Sequence, residues 1–314
     1  MATNSKEIRR RIKSTQSIAK INKAMELVSA AKMRKAQLAA QASRPYATLS
    51  AELLQNIAAR TGQINHPLMR QVVNGKPSDR FRALAIVITS DKGLAGSLNT
   101  NIINKTIELV KIVRNEFRVF KSGNDELDRV HTAVGVTEFI TIGKKATEAI
   151  RRFKDAKIIA TFPGKDKVIT SADSKPIAEI AMKEFAAAVY EKVFVIYPQF
   201  ISTLVQKPNI LQLLPFESAE RRGVRDEGRE FLFEPSPGEV LENLITRAVE
   251  FSIYQTLAEA AASEHSARMV AMRNANEAAG ELIDDLSLSY NQARQGGITR
   301  ELSEISAAKL AMEG

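Results

Sequence analysis

The apolar positions in the first part of the chain follow a helical repeat. No Gly or Pro occurs before Pro45, and the segment is rich in Ala, Lys, Arg, Met and Leu, which favour helix. The apolar residues Ile18, Ile21, Met25 and Val28 are spaced by three, four and three, as in a coiled-coil seam. Ser43-Arg44-Pro45 predicts a bend or a break, after which the helical pattern continues to about Gly62.

The C-terminal part of the chain predicts a second and longer helix. No proline follows Pro237, and apolar residues recur at Leu241, Leu244, Ala248 and Phe251 and, at the far end, at Ile298, Leu302 and Ile305. A helix of roughly 70 residues would be about 105 Å long at 1.5 Å per residue. A core of this chain's size cannot cover such a length, so the helix must project or pair with another long element.

The middle of the chain alternates short apolar runs with helical stretches. The predicted strands are 83–89, 138–142, 157–161, 192–197 and 201–205, and the predicted helices between them are 99–117, 144–153 and 176–189. This alternation predicts an α/β fold with a mostly parallel, Rossmann-like sheet. We expect an N-terminal coiled-coil helix at 1–62, a central α/β domain at 63–215, a connecting segment at 216–238 and a C-terminal coiled-coil helix at 239–314.

Charge is distributed unevenly along the chain, which has a net charge of +9. The first 36 residues contain ten Lys or Arg and two Glu, whereas residues 239–314 contain six basic and twelve acidic residues. Opposite charge favours pairing of the two terminal helices, although a single exposed ion pair contributes only about 0–1 kcal/mol. Because the central domain would bring the ends of the helices together, we expect an antiparallel coiled coil.

Residues with catalytic or ligand-binding chemistry are sparse. The sequence has no cysteine, and its three histidines lie in separate segments without metal-ligand spacing. The phosphate-binding loop of ATP-binding proteins and the dinucleotide-binding glycine pattern are both missing. The nearest candidate is Ser90–Asn99, after the first strand: it is either an anion-binding turn or a tight turn in which Asp91 or Ser97 caps a helix. We therefore predict no catalytic, cofactor-binding or metal-binding residues.

The basic N-terminal helix permits an alternative interpretation, a basic coiled-coil scaffold that binds nucleic acid. Against it, the positive charges surround the helix, share it with an apolar seam and are not interleaved with aromatic residues. A small enzyme that uses the Ser90–Asn99 loop is a second alternative. No apolar stretch reaches the roughly 18 residues of a membrane span, so we expect no direct membrane insertion.

Four blocks of the sequence resemble the γ subunits of F-type ATP synthases. Their N-terminal signature matches Ile8-x3-Ile12-Lys-Ser-Thr followed by Ile18-x-Lys-Ile-x2-Ala-Met-x2-Val28-x2-Ala-Lys-Met-Arg-Lys-Ala36. Ser90-Asp-Lys-Gly-Leu-Ala-Gly-x-Leu-Asn99 is similar to an internal segment, with Ala95 where cysteine is frequent. Residues 263–272 and 290–305 resemble the C-terminal signature, except that Gly296-Gly297 replaces small helix-forming residues.

The resemblance implies a non-catalytic central rotor shaft. The two terminal helices would lie as an antiparallel coiled coil inside the ring of α and β subunits, with the α/β domain against the ε subunit and the membrane c-ring. Ion flow would turn the shaft and drive ATP synthesis at the β subunits. The location would be the cytoplasmic face of the energy-transducing cell inner membrane, as a peripheral protein, without nucleic acid and without a cofactor of its own.

The resemblance also assigns contact residues. It implies rotor–stator contacts at Met25, Arg268, Gln295, Thr299 and Glu301, for each of which the alternative is an ordinary coiled-coil surface residue. Phe233 would lie near the membrane ring, or else belong to a small core.

Overall fold

The fold consists of two long helices and a central sheet. A computed structural model describes residues 2–60, 67–69, 81–116, 135–154, 156–164, 169–215 and 237–313. The helices are α1 Ala2–Arg60, α2 Leu98–Glu116, α3 Lys144–Ile150, α4 Ser171–Ala186 and α5 Pro237–Glu313, with a short 3-10 turn at Pro67–Met69. The strands are β1 Arg82–Ile88, β2 Val136–Ile142, β3 Lys157–Phe162, β4 Lys192–Phe200 and β5 Gln206–Leu214.

The five strands form one sheet in the order β3-β2-β1-β4-β5. Strands β1 to β4 are parallel, and β5 runs antiparallel to β4 at the edge. β1 is central and buried on both faces, which explains its continuous apolar sequence. Leu84 and Ile86 pack into a core that includes residues of α4 and the first part of α5, whereas Ala85 and Val87 face a second core with α2 and α3. The predicted α/β class and the mostly parallel sheet are confirmed.

Two sequence predictions of local structure are wrong. Residues 201–205 form the turn between β4 and β5, and the last strand begins at Gln206. In that turn the Ser202 hydroxyl accepts hydrogen bonds from the backbone N–H groups of Leu204 and Val205, so the apolar residues there are loop residues. Helix α1 continues without interruption through Pro45, so the break, one of the two alternatives predicted at 43–45, does not occur, and the bend stays a prediction.

The chain divides into two compact units, and each long helix contributes to both. Residues 1–30 and 268–314 form one unit, and residues 31–267 form the other. In the first unit the N-terminal part of α1 packs with the C-terminal part of α5 as an antiparallel coiled coil, as predicted. In the second, Ile245, Val249 and Ile253 of α5 are fully buried against the sheet core.

The seam of the coiled coil differs from the one predicted. Ile18, Ile21 and Val28 are 51%, 58% and 54% exposed. The less exposed positions of α1 in this unit form another stripe with alternating spacings of four and three, namely Ile8, Ile12, Thr15, Ala19, Asn22, Glu26 and Ser29. On α5 the matching stripe is Met269, Met272, Asn276, Ala279, Ile283, Leu286, Tyr290 and Ala293. We use "seam" for these two stripes below.

Candidate functional site

The loop that follows β1 holds the carboxyl ends of three strands together. The Asp91 carboxylate accepts hydrogen bonds from the backbone N–H groups of Lys144, 2.8 Å away, and Gly164, 3.0 Å away. Lys144 opens α3 after β2, and Gly164 follows β3. Asp91, one of the two cap residues predicted from the sequence, thus caps α3. It also joins the loops after β1, β2 and β3, a role that its position in the sequence does not reveal.

The remaining polar groups of this loop also bond within the chain. Ser90 donates its hydroxyl to the Lys92 carbonyl at 2.6 Å, and its backbone N–H donates to Asn99 Oδ1 at 3.2 Å. Leu94 and Gly96 have positive φ angles of 63° and 58°, which turn the chain sharply into α2. These bonds favour the tight-turn interpretation of Ser90–Asn99 over an anion cradle, because the hydroxyl and the backbone N–H of Ser90 are both used within the loop.

A buried ionic network lies at the opposite, amino end of the sheet. Glu138 of β2 is 5% exposed and accepts hydrogen bonds from Arg82 Nη2 and from the Tyr190 hydroxyl, each at 2.6 Å. Lys157 Nζ lies 3.4 Å from the same carboxylate. Burial raises the pKa of Glu138, but the hydrogen bonds from Tyr190 and Arg82 outweigh burial and the net pKa is lowered. Burial and the nearby carboxylate raise the pKa of Tyr190.

This network is structural. The four residues of the network come from four different parts of the sheet: Arg82 from β1, Glu138 from β2, Lys157 from β3 and Tyr190 from the turn before β4. Their bonds therefore connect these four parts. A carboxylate held by two cations and a hydroxyl is fully engaged. It has neither the raised pKa nor the neighbouring nucleophile that acid–base catalysis requires.

The coiled-coil unit has the largest set of exposed apolar side chains. Besides Ile18, Ile21 and Val28, α1 exposes Leu27, and α5 exposes Leu282 and Leu288. A group of this size on the two helices of one unit indicates a surface that another molecule covers. The helical repeat detected in the sequence is therefore real, but it marks a face that the chain itself leaves open.

The C-terminal end of α5 continues beyond the seam. Ala293 is the last half-buried position, and the residues after it are exposed wherever their side chains are described. Residues 294–313, here called the tip segment, include Ile298, Leu302, Ile305 and Met312, which are 49%, 60%, 65% and 89% exposed. Gly296 and Gly297 lie within the continuous helix, and no atom lies near a methyl group built on either.

The contact residues predicted from the resemblance all lie in the coiled-coil unit, with the exception of Phe233, but they do not form one cluster. Gln295, Thr299 and Glu301 are exposed on the tip segment, and Thr299 accepts a hydrogen bond from Ser303 through its carbonyl. Arg268 is only 6% exposed and lies 27 residues from Gln295, about 40 Å along the helix. Met25 is half-buried on α1, and Phe233 lies outside the described residues.

The described residues contain neither a membrane span nor a candidate metal site. No helix in that part of the chain is long and apolar enough to cross a membrane. Within the same residues, no group of three or more His, Cys, Asp or Glu side chains could hold a metal ion.

Comparison with known proteins decides the family. A family model described as ATP synthase matches residues 4–312. A chain named ATP synthase gamma chain from Pelotomaculum thermopropionicum is 38% identical over 310 residues, which cover 98% of this chain and 99% of the relative. The chain belongs to the ATP synthase gamma-chain family.

Other comparisons agree with this family. A second ATP synthase gamma chain, from Stenotrophomonas maltophilia, is 36% identical over 312 residues, covering 98% of this chain and 99% of the relative. The fold is similar to a chain in the Euglena gracilis mitochondrial ATP synthase OSCP/F1/c-ring structure, with a TM-score of 0.62, 18% identity and coverage of 99% of this chain and 95% of that one. A Tetrahymena thermophila central stalk and c-ring structure contains a chain with a TM-score of 0.56 and 22% identity, and the match covers 81% of this chain and 99% of that one.

Membership of the gamma-chain family accounts for the features above. Its members are subunits of a larger complex, so large apolar surfaces that this chain leaves open are expected. The family relationship gives no support to the nucleic-acid-binding alternative.

Proposed function

We propose that this chain is the non-catalytic central rotor shaft of an F-type ATP synthase. It couples ion translocation through the membrane c-ring to ATP synthesis or hydrolysis at the β subunits. The observation that carries the proposal is the tip segment, a lone helical end whose apolar residues have no cover within the described chain. Such a helix requires a surrounding partner, and the ring of α and β subunits is a partner of suitable shape.

The proposal places the shaft at the cytoplasmic face of the energy-transducing membrane. The coiled-coil unit would turn inside the ring, and the sheet unit would contact the ε subunit and the c-ring. Gln295, Thr299 and Glu301 are the candidate contacts with the ring because they are exposed on the tip segment. Met25 and Arg268 also remain candidates. Because Arg268 is buried within its own chain, we expect it to act chiefly by holding the helix that presents the contacts.

The proposal is tested first by isolating the tagged chain from its native membranes. We expect recovery of α, β and ε subunits with ATPase activity. Recovery of the chain alone, or with nucleic acid released by salt, would contradict the proposal.

A truncation then tests the tip segment. Wherever their side chains are described, the residues that a deletion of 296–314 removes are exposed, so we expect the helix content and the urea midpoint of the remaining chain to be preserved. ATP synthesis per translocated ion should fall in the assembled complex. The control is Ser306→Ala, an exposed residue of the same segment, which should leave synthesis unchanged. Undiminished synthesis in the truncated complex would show that the tip segment does not couple.

A further inference from the structure

A buried carboxylate lies inside the coiled coil. Glu26 of α1 is 6% exposed and occupies a seam position. Its carboxylate contacts Lys23 Nζ on the same helix at 2.9 Å and Arg273 Nε on α5 at 3.2 Å. The hydrogen bond from Lys23 outweighs burial, and together with Arg273 it lowers the pKa of Glu26. The contact joins the two helices. Its acidic member, Glu26, lies on the basic N-terminal helix, and its basic member, Arg273, lies on the acidic C-terminal helix.

The contact between Glu26 and Arg273 fixes the register of the whole seam. The two stripes share alternating spacings of four and three, so one anchored pair determines the others in an antiparallel coil. The register that results places these seam residues opposite one another: Ile8 and Tyr290, Ile12 and Leu286, Thr15 and Ile283, Ala19 and Ala279, Asn22 and Asn276, Glu26 and Met272, Ser29 and Met269.

Three of the seven layers of this seam, those of Thr15, Ala19 and Ser29, discriminate poorly between registers. Ala19 and Ala279 are small, and Thr15 and Ser29 are polar, so a shifted coil would lose little apolar burial in these layers. The two neighbouring polar layers discriminate strongly. Asn22 and Asn276 are half-buried opposite one another in the register derived above, and an Asn at a seam position is a known determinant of coiled-coil register.

A shift would also leave Glu26 without its cation from α5. The residues that a shift of three, four or seven positions brings to the place of Arg273 are Val270, Asn276, Met269, Glu277, Ser266 and Gly280. None carries a permanent positive charge. Glu26 would keep only Lys23 of its own helix, and a buried carboxylate that loses one of its two cations destabilises the shifted register.

We propose that the two adjacent polar layers, Asn22 with Asn276 and Glu26 with Arg273, fix the register of the coiled coil and thereby the projection of the tip segment. A slip of one heptad would move α5 along α1 by about 10 Å. If the chain is the rotor shaft proposed above, these four residues are positioning residues for coupling, because they set the height at which the tip segment meets its partner.

The register can be read by disulfide formation in the full chain, since the sequence has no cysteine of its own. The pair Ala19→Cys and Ala279→Cys reports the register described here. The pairs Ala19→Cys with Leu286→Cys and Ala19→Cys with Met272→Cys report a slip of one heptad in either direction. We expect only the first pair to close in the otherwise unaltered chain under a glutathione redox buffer.

The variants Glu26→Gln and Asn22→Ala should lower the ratio of native to slipped disulfide at least tenfold. Lys23→Gln is the matched control. Lys23 contacts the same carboxylate, but its side chain is 55% exposed and lies on the same helix, so the ratio should not change. The last variant exchanges the two charges: it combines Glu26→Arg with Arg273→Glu in a Lys23→Gln background. It should restore the native ratio, because the ion pair is rebuilt with reversed polarity.

The proposal is overturned if the native disulfide stays the sole product in both Glu26→Gln and Asn22→Ala, or if the charge exchange restores nothing. Arg273→Gln removes the same ion pair at a side chain that is 53% exposed, and it decides the question if Glu26→Gln fails to fold. The disulfide ratio needs no partner subunit and no ATP turnover. A failure of this inference is therefore distinguishable from a failure of the proposed function.

Discussion

Removing the Glu138 carboxylate should destabilise the sheet far more than removing any exposed carboxylate. In Glu138→Ala the Tyr190 hydroxyl, on a residue that is 2% exposed, loses its acceptor without access to water, which costs about 1–3 kcal/mol. Arg82 loses a charged hydrogen bond but is 37% exposed at its side chain, so solvent recovers part of that loss and about 1–2 kcal/mol remains. The expected total is about 2–5 kcal/mol, a range that includes the loss seen for other broken buried ion pairs.

Hydrogen exchange of strand peptides followed by mass spectrometry measures this loss in the sheet itself, apart from the long helices. We expect amides of β1 and β4 to exchange about 30- to 4,000-fold faster in Glu138→Ala, the range that corresponds to a loss of about 2–5 kcal/mol. Glu138→Gln keeps an acceptor for one of the two donors and should lose about 1–2 kcal/mol. Glu148→Ala is the control, since Glu148 forms an exposed ion pair with Lys145 on α3, and exchange in the sheet should not change.

A double variant tests the reasoning directly. Tyr190→Phe removes the hydroxyl that Glu138→Ala strands, so the combined variant should be more stable than the sum of the two losses predicts by about 1–2 kcal/mol. Losses that add to within about 0.5 kcal/mol would refute the argument, because they would show that the hydroxyl does not depend on Glu138.

Three further outcomes are expected for the sheet unit. Gly143→Ala should destabilise it by about 1–3 kcal/mol, because Gly143 has φ 91° and a methyl group there meets the Thr89 carbonyl, whereas Gly93→Ala enters open space and should not lower the urea midpoint. Asp91→Ala should cost about 0.5–2 kcal/mol by the same measurement, since two backbone donors lose their acceptor. Stability contributed by Glu138 should be present above its ordinary pKa of 4.5 and be lost as the pH falls through its lower folded value, so wild-type urea midpoints should decline more steeply in acid than those of Glu138→Gln.

The sequence predicts the elements of this fold better than it predicts their contacts. β1 to β4 lie where apolar β-branched runs predict them, because a strand buried on both faces has no polar alternation to confuse its assignment. The fifth strand is predicted at 201–205, whereas β5 begins at Gln206. The prediction is wrong because the turn between β4 and β5 carries apolar residues, as a strand would. Periodicity cannot distinguish a strand from an apolar turn whose backbone is satisfied by Ser202.

The coiled-coil seam shows a different limit. Ile18, Ile21 and Val28 form the strongest apolar repeat in α1, yet the helix turns that face outward and pairs through Ala19, Asn22 and Glu26 instead. Hydrophobic spacing shows that a face is to be covered, but not whether the chain or a partner covers it. The candidate contacts Gln295, Thr299 and Glu301 came from family resemblance alone, because exposed polar residues on a helix carry no signal of their own.

The pairing of Glu26 with Arg273 also constrains how the chain is made. The two residues are separated by 247 positions, so the seam of α1 has no α5 to pair with until nearly the whole chain is synthesised. At about 5–20 residues per second this delay lasts roughly 12–50 s. During that time the apolar face and the polar seam of α1 are both exposed on the nascent chain, whereas every strand of the sheet has already been translated by Leu214. The strands can therefore pair first, the sheet core is completed only once Ile245, Val249 and Ile253 of α5 have followed, and the coiled coil forms last. This order makes the nascent α1 a natural client for a chaperone.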